Sequence, residues 1–357
     1  MLPRILLPFI IISVDNQFLT IYTKKRGELM STKLRILSFL EQQKGNSISG
    51  QSLANSLGLS RTSIWKGIKA LQEEGYIIEG VTNKGYRLSL TSDIISTDAI
   101  RSYLQPNLQN FPVYPFKTID STNSEARKLA TLDSTHEGLV VSEEQTNGRG
   151  RLGKSFYSPK QTGVYLSFFL KPNLNMADAS LVTTAAAVAV CLAIEKITTK
   201  KPKIKWVNDI YLNETKICGI LTEAVSDFES GKVETLIVGI GLNVKEPSAG
   251  FPDELTTIAG SLLSSAETEH FDRNLLVAEI TNHFYDIYQT IEDRSFLDEY
   301  KKRCFVIGKK ITFKERKQEF EAIPIDIDSQ GGLVIQMADG HQRTLSYGEI
   351  VMKKPFQ

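Results

Sequence analysis

The chain has 357 residues, 41% of them hydrophobic and 23% charged, with a formal net charge of +1. That length exceeds what one hydrophobic core usually organises and predicts two or three domains, and the composition excludes a disordered chain. Cys191, Cys218 and Cys304 lie far apart, and His136, His270, His283 and His341 are isolated, which argues against a disulfide frame, a zinc site and a His-based triad. A reducing, cytoplasmic setting is expected from this cysteine usage.

At the front, Leu2 to Val14 is apolar but is interrupted by Pro3, Arg4 and Pro8, and is too short to span a membrane. It has no convincing cleavage site, and Met30 starts a plausible first helix, so residues 1–29 read as an extension, disordered or not translated. The other apolar run, Ala185 to Ile194, lies inside a helical pattern that begins near Asp178 and reads as a buried core helix. No membrane partner is expected.

From Thr32, Leu34, Leu37 and Leu40 or Phe39 recur at helical spacing, and Lys44-Gly45-Asn46 ends that helix. Gly50 to Leu57 predicts a short second helix, Gly58 a turn, and Ser60 the N-cap of a third helix running to Glu74. Ile64, Ile68 and Leu71 form its inward stripe. Tyr76-Ile77-Ile78 and Tyr86-Arg87-Leu88, joined through Asn83-Lys84-Gly85, read as a two-stranded wing. Eight basic against four acidic residues between Thr32 and Leu90 leave +4, as phosphate neutralisation requires. Gly50, Ser60, Arg61, Thr62, Ser63, Lys66, Lys69 and Lys84 are the expected DNA contacts; a winged helix serving protein contacts alone is the other reading.

Thr91 to Asp98 reads as a linker, and Phe116 to Asp120 as a short strand. Ser121-Thr122-Asn123-Ser124-Glu125 opens a helix, with Thr122 and Glu125 at capping-box spacing. Between strand patterns at Leu139–Ser142 and Val164–Leu170 lies Gln145-Thr146-Asn147-Gly148-Arg149-Gly150-Arg151-Leu152-Gly153-Lys154. Its glycines allow close backbone approach while two guanidiniums converge on anions; a solvated basic loop or an RNA-binding segment does not explain the flanking strands. Further on, Lys205-Trp206-Val207-Asn208-Asp209 and Lys216-Ile217-Cys218-Gly219-Ile220-Leu221-Thr222-Glu223 read as strands turned at Asn213-Glu214-Thr215. Simple pairing puts Lys216 on the face of Asn208, Ile210 and Leu212, and Asp209 opposite with Gly219; only a bulge brings Asp209 to Lys216. Val238-Gly239-Ile240-Gly241-Leu242-Asn243 lacks the third glycine and helix of a dinucleotide fingerprint, and its glycines are expected to let a ligand lie against the strand.

From Phe305, four strands (Lys310–Lys314, Glu319–Ile327, Leu333–Met337, Gln342–Leu345) turn at Gly331-Gly332 and Asp339-Gly340, which fits a small SH3-like barrel. The expected fold is α+β in three parts: a winged helix over 30–91, an α/β domain with a mixed sheet over 92–304, and the barrel over 305–357.

Together the GRGR loop, KWxND and KxxGIL resemble the biotin–protein ligases, and the winged helix in front is similar to the bifunctional ligase/biotin operon repressor type. The likeness runs from about Gly50 to near the C-terminus. It implies that Ser121, Thr122, Asn123, Gln145, Arg149, Gly150 and Arg151 bind biotin and its adenylate, and that Lys216 is the lysine of the KxxG motif. Gly219 and Asn243 are added to that binding set, and Arg149, Arg151, Lys216 and Asp209 are the expected catalytic groups. Implied with them are ATP and biotin as substrates, Mg²⁺ with the nucleotide, a biotin carboxyl carrier protein, operator DNA, and a homodimer when adenylate-bound. Val207 stands where that family usually has proline, Leu152 where it often has a basic residue, and Asp326 where it has glycine. The competing readings are a non-catalytic biotin-sensing regulator and a lipoate–protein ligase.

Overall fold

The computed structural model describes residues 31–132, 137–172, 179–226, 233–268, 271–315 and 318–352. The expected extension over 1–29, with His136 and His270, lies outside them. At the front, α1 (Thr32–Gln42), α2 (Gly50–Leu57) and α3 (Arg61–Glu73) pack around Leu37, Leu40, Leu53, Ile64, Ile68 and Leu71. Serines cap all three: Ser31, Ser49 and Ser60 accept from the backbone N–H of Leu34, Ser52 and Ser63. In α1 the buried stripe is Ile36, Leu37 and Leu40, not Leu34, because Ile36 faces α3. The wing is β1 (Ile78–Val81) paired antiparallel with β2 (Gly85–Leu88), which places Tyr76 and Ile77 before the ladder rather than in it.

The segment expected as a linker is built in. Ser92, Ile95 and Ser96 are buried, and α4 (Thr97–Tyr103) follows at once, capped by Ser96. Arg273, 1% exposed at the start of α7 (Arg273–Gln289), explains why. Its guanidinium donates to Asp93 Oδ2 at 2.6 Å, Glu143 Oε2 at 2.8 Å and the Gly163 carbonyl at 3.1 Å. A buried arginine needs such full pairing, so Asp93 is the partner of a core group, and Ser96 N–H donates to Asn274; the segment is not a solvated tether. The winged helix meets the same corner, with Lys44 Nζ 3.4 Å from Asp272 Oδ2, which also accepts from the Tyr103 hydroxyl at 3.1 Å. Burial, with the Asp272 and Asp98 carboxylates nearby, pushes the Glu41 carboxyl up to about 7 against the lowering pull of Lys44.

The central sheet has seven strands in the order β3-β4-β5-β9-β8-β7-β6. These are β3 (Val113–Phe116), β4 (Gly138–Ser142), β5 (Gly163–Leu170), β6 (Lys203–Lys205), β7 (Asp209–Leu212), β8 (Thr215–Ser226) and β9 (Val233–Asn243). Only β3 and β4 run parallel, which makes the sheet mixed, as expected. The first strand ends at Phe116; beyond it Ile119 makes a single bridge to Gln145. Alternation sorts the two faces. Val140, Phe169 and Ile237 meet α5 (Thr122–Leu132), while Leu139, Phe168, Leu170 and Val238 meet α6 (Ala179–Ile197) and α7. By length and composition α6 could cross a membrane, but 67% of its apolar window is buried inside the protein, so it is the core helix expected.

After α8 (Phe296–Arg303) the chain forms a five-stranded antiparallel sheet in the order β13-β12-β11-β10-β14. Its strands are β10 (Ile311–Glu315), β11 (Gln318–Ile327), β12 (Leu333–Met337), β13 (Gln342–Leu345) and β14 (Ile350–Val351). Asp326 sits at a bulge in β11, paired with Lys301 at 3.0 Å. Buried Trp206 ties this unit to the central sheet, donating its indole N–H to the Gly331 carbonyl at 2.9 Å.

Candidate active site

A cavity of about 410 Å³ opens on the α5 face of the sheet. Every residue expected to act on the small ligands lines it: Ser121, Thr122, Asn123, Gln145, Arg149, Gly150, Arg151, Asp209, Lys216, Gly219 and Asn243. The decisive local feature is in the β7–β8 hairpin. Asp209 pairs with Gly219 and Ile210 with Cys218, but Tyr211 pairs with Lys216, so Ile217 is an extra residue. That bulge shifts Lys216 to the face of Asp209, and its Nζ lies 2.7 Å from Asp209 Oδ1.

The arginine loop folds back on itself. Gly150 N–H donates to the Lys154 carbonyl at 2.7 Å and Phe156 N–H to the Gly148 carbonyl at 2.9 Å. Arg151 is held from two sides, donating to Asn208 Oδ1 and to the Gly348 carbonyl of the C-terminal unit, both at 2.8 Å. Lys154 Nζ meets Glu349 Oε1 at 2.6 Å, a hydrogen bond that holds the Glu349 carboxyl below its usual range. Arg149 lies 3.8 Å from Glu223. Leu152 is 76% exposed with φ 55°, so Lys154 brings the loop's third charge to the cavity. The Trp206–Val207 peptide is cis, and the Tyr300 hydroxyl donates to the Val207 carbonyl at 3.0 Å.

At the opposite wall Gln145 Oε1 accepts from the Thr122 N–H at 2.8 Å and from its hydroxyl at 3.0 Å. The Thr122–Glu125 capping box is therefore not formed. Thr122 is the first helical residue, its cap comes from Gln145 across the loop, and Glu125 pairs with Lys128. Asn123 is fixed by Ser167 Oγ at 2.6 Å and by Glu223 Oε2 at 2.7 Å. The glycines of β9, expected to let a ligand lie against the strand, do line the cavity, but the space beside each is taken by a protein side chain. A Cβ on Gly239 would sit 2.0 Å from Asn123 Oδ1, and one on Gly241 would sit 2.5 Å from the Phe156 ring. They admit protein side chains that form the wall. The Asn243 amide donates to the Gly260 carbonyl at 3.0 Å and anchors the segment over the cavity mouth.

Sequence reasoning missed Phe156, Glu223, Lys205 and Glu349. Lys205 lines the cavity, and burial lowers its pKa. The GILTE run carried Glu223 in plain view, but its partners Asn123, Arg127 and Arg149 are remote in sequence.

On the front domain, Arg61, Thr62, Lys66, Lys69 and Lys84 are exposed as expected. Ser60 and Ser63 are spent on the cap, with their hydroxyls 2.9 Å apart. Gly50 lies in a groove shared with Arg61, Thr62 and the wing.

Fold and site define a class: an α/β ligase-type domain with a cationic loop over its sheet, preceded by a helix-turn-helix unit. Residues 116–243 match the biotin/lipoate A/B protein ligase family, 32–87 an HTH domain, and 306–353 the biotin protein ligase C-terminal domain. The chain is similar to the bifunctional ligase/repressor BirA of Bacillus subtilis, 34% identical over 322 residues, covering 89% of this chain and 98% of that protein. BirA of Escherichia coli is 26% identical over 324 residues, or 90% and 97% of the two chains. Among solved structures, the biotin protein ligase from Aquifex aeolicus in complex with biotin and ATP is 25% identical with a TM-score of 0.56, covering 68% of this chain and 99% of that one. The chain belongs to the bifunctional ligase/repressor family and is a biotin–protein ligase with an N-terminal helix-turn-helix repressor domain.

Proposed function

We propose that the chain joins the biotin carboxylate to the α-phosphate of ATP, forming biotinyl-5′-adenylate and releasing pyrophosphate. A neutral lysine amine of a biotin carboxyl carrier protein then attacks the anhydride carbonyl, AMP leaves, and the amine gives up a proton. The observation that carries this reading is the β7–β8 bulge, which turns Lys216 and Asp209 onto one cavity wall facing Arg149 and Arg151.

The chemistry demands those cations. Carboxylate and phosphate repel, and charge builds on the phosphoryl oxygens in the transition state. Arg151, braced by Asn208 and Gly348, is a preorganised guanidinium that need not be reoriented at the moment of reaction. Lys216 is set by Asp209 and supplies a second positive charge to the phosphate. Gln145, Thr122 and Asn123 offer hydrogen bonds at the α5 end for the polar ring of biotin. The Gly148–Lys154 loop covers the anhydride against hydrolysis. Mg²⁺ fits as a companion of the nucleotide phosphates: the lining carboxylates, Asp209 and Glu349, are each paired with a lysine, so the phosphates are the natural ligands.

The same reading makes the front domain a biotin-responsive repressor. Two copies of one recognition helix double the phosphate contacts, and the adenylate-bound form is the homodimer that occupies the operator. ATP–pyrophosphate exchange tests the ligase assignment. Exchange that requires biotin and ignores lipoate is expected; exchange driven by lipoate, or none with either acid, would overturn it.

A further inference from the structure

Helix α3 turns Ile64, Ile68 and Leu71 to the core and leaves Arg61, Thr62, Trp65, Lys66 and Lys69 exposed. Four of those five are polar or cationic. Trp65 is neither, and it is 53% exposed, whereas the chain's other tryptophan, Trp206, is 3% exposed. Single exposed apolar residues are ordinary on protein surfaces. This one stands four residues beyond Arg61, three beyond Thr62 and four before Lys69, and so shares their helix face. With Arg61 and Thr62 it forms one wall of an open groove whose other wall is the wing at Val81, Thr82 and Asn83, and no carboxylate lines that groove. Among the described residues, Arg61, Lys66, Lys69 and Lys84 have no ion-pair partner. An apolar plate rimmed by unpaired cations suits a polyanion that carries an apolar feature, and suits an apolar protein surface poorly, because docking there would strand the cations.

Duplex DNA is such a polyanion. Its major groove shows donors, acceptors and one apolar group, the C5-methyl of thymine. We propose that Trp65 is a base-reading residue that packs its indole against the methyl edge of a thymine in each half-site, while Arg61, Lys66 and Lys69 grip phosphates. The cations fix position and carry no sequence information; the indole does. This rests on the DNA-binding reading of the front domain.

The test uses the full chain with biotin and ATP, and a pool of duplexes with a randomised core as probe. After selection, each thymine of the enriched sequence is replaced singly by uracil, which removes one methyl and nothing else. For the wild type, uracil at one position of each half-site is expected to weaken binding about fourfold, the worth of one buried methyl group. Trp65→Ala is expected to bind the thymine duplex more weakly and to lose the distinction between thymine and uracil, with its salt dependence unchanged. Trp65→Phe should keep part of the distinction. Acrylamide quenching of the exposed indole should fall when the duplex is added. Because the side chain lies on the surface, thermal melting of Trp65→Ala checks that the fold persists. A Trp65→Ala protein that still tells thymine from uracil, or a wild type that responds to uracil nowhere, would overturn the proposal and leave the DNA-binding reading intact. If the wild type enriched no duplex at all, both would fall together.

Discussion

The two cationic surfaces of this chain are built on opposite principles. Around the cavity four of the five lining cations are partnered: Arg151 by Asn208 and Gly348, Lys216 by Asp209, Lys154 by Glu349, and Arg149 at longer range by Glu223; the fifth, Lys205, is set apart by burial, which lowers its pKa. On the recognition helix and wing, Arg61, Lys66, Lys69 and Lys84 have no ion-pair partner among the described residues. The contrast follows from the ligands each surface suits. A small transition state rewards charges already held in place, since orienting them during reaction would add to the barrier. A DNA backbone rewards charges free to follow it, whose binding gains come from released counterions. Pairing, more than net charge, separates the loop and hairpin cations of the cavity from Arg61, Lys66, Lys69 and Lys84.

The largest expected effect lies on the cavity side. Lys216→Ala should abolish biotin-dependent pyrophosphate exchange while leaving the melting temperature close to that of the wild type, because the side chain is partly exposed and its backbone pairing is kept. Near wild-type exchange would remove it from the catalytic groups. Arg151→Gly comes next, and should weaken retention of the adenylate more than its formation. Losing a charge-assisted contact costs about 1.5–3 kcal/mol, roughly ten- to a hundredfold in off-rate, and stopped-flow dissociation of the adenylate reads it. An unchanged rate would mean that the bracing by Asn208 and Gly348 serves the fold alone.

A third expectation concerns the seam between the two regions. Burial raises Glu41 from its ordinary 4.5 to about 7. A carboxyl raised on folding contributes stability that is complete below the unfolded value and is lost as pH rises through the folded one. Glu41→Gln should therefore raise the melting temperature at pH 8, by up to about 3 kcal/mol of stability, and change little near pH 4.5. A variant less stable than the wild type at pH 8 would show that charged Glu41 is held favourably by Lys44 despite Asp272 and Asp98. The smallest effect belongs to the DNA face: Lys69→Ala removes one phosphate contact from each copy, so it should lower the slope of log affinity against log salt by about 1.8 for the dimer and leave sequence preference alone. A change of preference without a change of slope would make Lys69 a base reader.

Much of the architecture was legible because it is local. Ser60 caps α3, the glycine turns fall where expected, and strands β4 and β5 bracket the arginine loop. The Asp209–Lys216 pair was not, for a physical reason. Ile210 and Tyr211 of β7, and Ile217 and Cys218 of β8, are buried at adjacent positions, so the sequence around the turn carries no alternation that would reveal one inserted residue. Segment 91–98 reads as a linker because Ser92, Asp93 and Ser96 have solvent-like composition, and their partners lie elsewhere in the chain: Ile77 for Ser92, Arg273 for Asp93 and Asn274 for Ser96. Gln145 capping Thr122, and Glu349 reaching Lys154, are long-range pairs of the same kind. Periodicity does not encode them.

The most direct test of the contrast is to follow both activities of one preparation across salt. Between roughly 50 and 200 mM, operator affinity should fall about ten-thousandfold for four phosphate contacts in each of the dimer's two recognition units. Pyrophosphate exchange at saturating biotin and ATP should change by less than about threefold, because the cavity cations are short-range and held in place. Exchange and DNA binding falling in parallel, or operator affinity indifferent to salt, would contradict the account.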